Sequence, residues 1–111
     1  MSRYLYLLRH AESTEKRPGE SDKERDLTPA GIREALLIGN YLFKENTSFD
    51  QVICSTAQRA DATARLIADA MKFDPEQISK QDALYEASTR TLFQFILQLD
   101  DQYQHVLCIG H

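Results

Sequence analysis

The chain has 111 residues, 42% of them apolar, and a net charge of −4, which sets the scale at one compact domain with a single modest core. No basic stripe runs through it, so a nucleic-acid or acidic-membrane surface is disfavoured. No apolar run approaches the roughly 18 residues of a membrane-spanning helix. The first residues do not read as a leader, and the cell interior is the expected location. Cys54 and Cys108 both fall in apolar, strand-like stretches, which suits two free thiols in a reducing compartment better than a disulfide.

Short apolar runs alternate with longer helical patterns, the layout of a mostly parallel sheet covered by helices. Residues 4–8 (YLYLL) read as the first strand, apolar enough for a buried position. Residues 12–26 are polar and irregular, with Pro18, Gly19 and many charges; connections this long tend to carry function. Thr28 is placed to cap a helix with Pro29 at its first position. Ile32, Ala35, Leu36, Leu42 and Phe43 mark its apolar face, interrupted by Gly39. Residues 51–54 form a second strand, and Ser55 or Thr56 is placed to cap the next helix, lined by Ala60, Ala64, Ile67 and Met71. Residues 73–77 read as a turn and 78–84 as a weak extended stretch, and Ser88 caps a helix running through Leu99. Residues 104–109 (QHVLCI) are the last strand, with Gly110 and His111 after it. His105 opens that strand and is expected to be exposed and without a role.

In parallel α/β sheets, ligands bind at the carboxyl ends of the strands. The first strand delivers Arg9 and His10 to that edge, the second delivers residues 55–59 including Arg59, and the last delivers His111. Two histidines and two arginines at one rim point to phosphoryl chemistry. Neutral imidazole is a competent nucleophile near neutral pH, and the guanidinium fork matches phosphate oxygens. Asp22 and Arg25 read as loop charges, with Arg25 also placed to meet an acidic substrate. The run CSTAQR invites comparison with the thiolate phosphatases, but only four residues separate Cys54 from Arg59, one too few for that loop to wrap a phosphate. No His, Cys or carboxylate cluster has metal-ligand spacing, so neither a metal nor another cofactor is expected.

The stretches LLRHAES, DLTPAG, STAQRADATA and IGH, in this order and at this spacing, resemble the histidine phosphatase superfamily, the phosphoglycerate-mutase-like group. SDKERDLTPAGIREA is most similar to its small SixA-type phosphohistidine phosphatases, where an Asp-x-x-Arg-Pro-Leu-Thr-x-x-Gly pattern is typical. Asp22, Arg25, Leu27, Thr28 and Gly31 fit it, and Asp26 stands where proline is usual. LYEAS, residues 84–88, is similar to another stretch of the same branch.

The resemblance implies a three-layer α/β/α domain with a mostly parallel central sheet. It also implies a further helix and strand past His111, so residues 1–111 read as a single domain incomplete at its C-terminus. Residues 106–110 run apolar and are expected mid-sheet; with three helices to cover the sheet, this last strand is expected to expose an apolar flank and His111 to be loosely held. By the same resemblance, His10 is the nucleophile that becomes phosphorylated, Arg9 and Arg59 hold the phosphoryl oxygens, and His111 forms the opposite wall. Glu86 is the candidate acid for the leaving group. The implied activity is metal-free hydrolysis of a phosphomonoester or phosphohistidine, with a phosphorylated protein as the expected substrate and partner. A small-molecule phosphatase or mutase, and a non-catalytic phosphate- or phosphoprotein-binding module, are the alternatives.

Overall fold

A computed structural model describes residues 4–99 and 102–110. Four strands, β1 (Tyr4–Arg9), β2 (Gln51–Ser55), β3 (Ile78–Gln81) and β4 (His105–Gly110), form one sheet in the order β1-β4-β2-β3. All three pairings are parallel. The register sets Arg9 beside Gly110, Cys54 beside Ile109 and Ser55 beside Gln81, so the carboxyl ends of the strands share one rim. Helices α1 (Pro29–Lys44), α2 (Gln58–Ala70) and α3 (Thr89–Leu97) connect them, completing the three-layer α/β/α architecture.

Two apolar clusters sit on the two faces of the sheet. On one, Val52, Cys54, Leu107 and Ile109 pack with Ala35, Ala60, Ala64 and Ile67 of α1 and α2. On the other, Ile53, Val106 and Cys108 pack with Leu84, Leu92 and Phe95 around α3. Ile53, Ile67, Leu107 and Ile109 are at most 1% exposed, and burying each such side chain is worth about 1.5–3 kcal/mol.

The last strand lies mid-sheet as expected but exposes no apolar flank. β4 lies between β1 and β2 with Val106 to Ile109 fully buried, because helices cover both of its faces. The apolar exposure falls on β1 instead, at the edge, where Tyr4 is 55% and Leu7 52% exposed. His105 is half-buried rather than exposed, stacked on Tyr4 with ring centroids 5.1 Å apart. His111 lies outside the described residues.

Helix α1 starts as expected, with the Thr28 hydroxyl accepting from the Gly31 N–H at 3.0 Å and Pro29 in the first turn. Its inward stripe is different. Gly31, Ala35 and Gly39 are the buried positions, and Ile32 and Phe43 are exposed. A Cβ on Gly39 would lie 2.7 Å from the Ala70 Cβ, so Gly39 is where α1 meets α2 rather than a break in the face. The cap of α2 also differs: Ala57 holds the N-cap position without a side-chain bond. Ser55 ends β2, and its hydroxyl accepts from the Ala57 N–H, whereas the Thr56 hydroxyl donates to Asp82. Ser88 caps α3 through the Thr91 N–H.

Candidate active site

β1 carries Arg9 and His10 to the rim, and the His10 N–H donates to the Gly110 carbonyl at 2.9 Å, holding the end of β1 against the end of β4. The His10 ring is bonded through Nδ1 to the Ala11 carbonyl at 2.8 Å. A carbonyl only accepts, so Nδ1 carries a hydrogen, and in the neutral ring the lone pair is on Nε2.

The backbone just past His10 is tied to α2. The Ala11 N–H donates to the Thr63 hydroxyl at 3.0 Å, and that hydroxyl donates to the Arg59 carbonyl at 2.7 Å. Thr63 is buried one turn beyond Arg59 and sets the loop after His10 against the helix that carries the arginine. Residue 12 is held from the other side. The Glu12 carbonyl accepts from the Thr28 N–H at 3.0 Å, and a Cβ on Gly31 would overlap that carbonyl oxygen. The Thr-Pro-Ala-Gly start of α1 is thus a cradle for the chain leaving His10.

Arg59 is buried, with its side chain 3% exposed. Its Nη1 donates to the Asp22 carbonyl at 2.8 Å and its Nη2 to the Asp22 carboxylate at 3.0 Å. The same carboxylate accepts from the Tyr85 hydroxyl and from Arg25 Nη1 at 3.0 Å. Arg25 is fixed further by Nε to the Thr14 carbonyl at 2.7 Å and Nη2 to the Ser13 hydroxyl at 3.0 Å. The hydrogen bond from Tyr85, then those from Arg25 and Arg59, hold the Asp22 carboxyl well below the usual carboxylate range against the cost of its burial.

These groups border an open cleft of about 670 Å³ lined by Arg9, His10, Arg25 and Arg59 together with Glu12, Ser13 and Glu34. Arg9 is exposed and makes no ion pair among the described residues. Of the residues expected at the site, the structure brings Arg9, His10 and Arg59 together. Glu86 is not among the cleft's lining; it is exposed on the turn after Tyr85, in the left-handed region at φ 52°. Sequence reasoning gave no role to Thr63 or Tyr85 and read Asp22 as a loop charge. The signals available were a threonine four residues after Arg59 on the apolar stripe of α2 and the Asp-x-x-Arg spacing of Asp22 and Arg25.

Cys54 faces the α1–α2 core, fully buried, and burial pushes its thiol up to about 12. A thiol so placed is no nucleophile for the cleft. Among the described residues, no three His, Cys, Asp or Glu side chains come together as a metal-ligand set, and no helix is long and apolar enough to cross a membrane.

The fold and this rim define a histidine phosphatase scaffold, and the comparisons agree. The family model of the histidine phosphatase superfamily, branch 1, matches residues 5–92, and the chain belongs to that superfamily. It is similar to the uncharacterized protein Rv1276c of Mycobacterium tuberculosis, with 37% identity over 105 residues, 94% of this chain and 62% of that protein. It is 36% identical over 77 residues to the mitochondrial serine/threonine-protein phosphatase Pgam5 of Drosophila ananassae, 69% of this chain and 26% of that one. Among solved structures, a protein assigned as the phosphohistidine phosphatase SixA of Agrobacterium tumefaciens superposes with a TM-score of 0.90 at 31% identity, over 100% of this chain and 70% of its own. The chain thus spans 62% of the length of the mycobacterial relative it matches.

Proposed function

We propose that this chain carries the site of a phosphatase that works through a phosphorylated His10, with a protein phosphohistidine as the preferred substrate. The observation that carries the reading is the His10 ring, bonded through Nδ1 to the Ala11 carbonyl so that the neutral ring has its lone pair on Nε2, in a cleft shared with Arg9 and Arg59. In the first step Nε2 forms an N–P bond as the substrate's P–O or P–N bond breaks, and the leaving group departs with its electron pair. In the second, water attacks phosphorus, the N–P bond breaks, and the imidazole is restored with release of phosphate. Arg9 and Arg59 neutralise charge on the phosphoryl oxygens throughout; the role the resemblance implies for His111 falls outside the described residues. Glu86, outside the cleft's lining, has no part in this scheme.

The substrate assignment draws on two supports. The cleft is open, which suits a side chain presented on a protein surface better than an engulfed sugar phosphate. The resemblance to the Agrobacterium SixA protein extends over the full chain. The likeness to Pgam5 makes phosphoserine and phosphothreonine peptides the second class to assay.

The test is trapping with labelled substrate. Wild type is expected to yield an acid-labile, base-stable phosphoenzyme that His10→Ala abolishes along with turnover, at unchanged circular dichroism. Attack needs the neutral ring, so kcat/KM is expected to fall on the acid side as His10 takes up a proton. Activity of His10→Ala within tenfold of wild type overturns the reading. A panel of phosphohistidine protein, phosphoserine peptide, sugar phosphate and aryl phosphate then ranks the substrates.

A further inference from the structure

We propose that Asp22 is the positioning residue of the phosphoryl clamp: from behind the cleft, its carboxylate and carbonyl hold Arg59, and the carboxylate joins Arg59 to Arg25 and Tyr85. The inference rests on the phosphatase reading above. It starts from the burial of Arg59. A guanidinium that is 3% exposed needs an anion and fixed acceptors, and Asp22 supplies both, the carbonyl to Nη1 and the carboxylate to Nη2. These bonds occupy the Nη1–Nη2 edge of the fork. Arg59 also lines the cleft, so the bonds to Asp22 fix the orientation of a guanidinium that borders it.

The carboxylate is itself held from three directions, by Arg59, Arg25 and the Tyr85 hydroxyl. Its segment is fastened to the turn after β3, where Lys23 pairs with Asp82 at 2.6 Å and lies 4.7 Å from the Tyr85 ring centre. Asp22 does not line the cleft, although Arg25 and Arg59 do. It therefore orients the arginine without standing in the phosphoryl group's place. Its carboxyl is held far toward the ionised form, which suits a fixed counter-charge and rules out proton donation to a leaving group near neutral pH.

A positioning carboxylate and a competing one predict opposite signs on removal of the charge. Asp22→Asn and Tyr85→Phe are measured beside wild type for kcat, KM, inhibition by inorganic phosphate, and Tm. If Asp22 positions Arg59, Asp22→Asn lowers kcat about 10–100-fold, the scale of a misplaced catalytic group, with a smaller change in KM and weaker inhibition by phosphate. Tyr85→Phe, which removes one bond to the carboxylate, shifts the same quantities in the same direction by less. Tighter phosphate inhibition with equal or higher kcat in Asp22→Asn overturns the proposal and makes Asp22 a competitor. A lowered Tm with unchanged kcat and phosphate inhibition overturns it too, leaving a structural role alone. If wild type forms the phosphoenzyme while both variants match it, only this inference falls. If wild type forms none and does not bind phosphate, the phosphatase reading falls with it.

Discussion

Thr63 shows how much of the site depends on a residue that never meets the cleft. Its hydroxyl takes the Ala11 N–H and gives its own hydrogen to the Arg59 carbonyl, so a single oxygen bridges the loop after His10 and the helix of Arg59. Valine has nearly the same shape but neither donates nor accepts, and Ala11 is buried at 2% exposure. Leaving a buried donor unsatisfied costs about 1–3 kcal/mol. Thr63→Val is therefore expected to lose about that much stability in denaturant titration and to lower kcat, whereas Thr63→Ser keeps the hydroxyl and restores most of both. Equal stability and turnover in Thr63→Val would show that the bridge does not set the site.

At the scale of elements, the decisive contact is the first turn of α1 against the chain leaving β1. Glycine inside a helix is worth about 1 kcal/mol less than alanine, so on helix propensity alone Gly31→Ala should stabilise. The structure reverses the sign, because the new Cβ would overlap the Glu12 carbonyl oxygen, a backbone atom that cannot rotate away. The expected result is a loss of about 1–3 kcal/mol, as for other overpacked sites, with a fall in turnover as residue 12 and the adjoining His10 are pushed aside. Chemical denaturation together with steady-state kinetics checks both. A gain in stability would mean that the loop yields freely. Gly39 meets α2 by the same close approach, and alanine there is expected to cost stability.

Across the whole molecule, the two cysteines report on the integrity of both cores. The register places Cys108 beside Ile53 and Cys54 beside Ile109 on adjacent strands, so the thiols face opposite sides of the sheet and cannot bridge without taking the sheet apart. Burial pushes Cys54 up to about 12 and Cys108 to about 11. At pH 8 both remain thiols, shielded by the helices. A thiol reagent at that pH is expected to leave the native protein nearly unmodified and to label both cysteines in denaturant. Cys54→Ser should leave turnover largely unchanged. Rapid native labelling would show that the sheet opens at a cost well below global unfolding.

The sequence by itself determined the local features: a strand ending in Arg9 and His10, the Thr28 cap with Pro29, the alternation of strands and helices, and Arg59 at the start of α2. Each depends on residues within one turn or one strand of each other, where periodicity and capping chemistry act. It also carried the motifs of the superfamily, and with them the layered fold. The apolar run of β4 already pointed to a place mid-sheet, but only the tertiary structure decided that β1 is the edge, because strand order depends on how crossovers pack and β1 is apolar too. Only the structure turned Gly39 from a gap in an apolar face, and Gly31 from a pattern residue, into points of close approach, since what a missing Cβ avoids lies on another segment. Asp22 is the clearest case. Read along the chain it is one charge in a polar loop, and folding sets it against Arg59, 37 residues away, and Tyr85, 63 away. A buried guanidinium needs a counter-charge from wherever the fold brings one, and that choice is made by contact in space, to which local sequence pattern is blind.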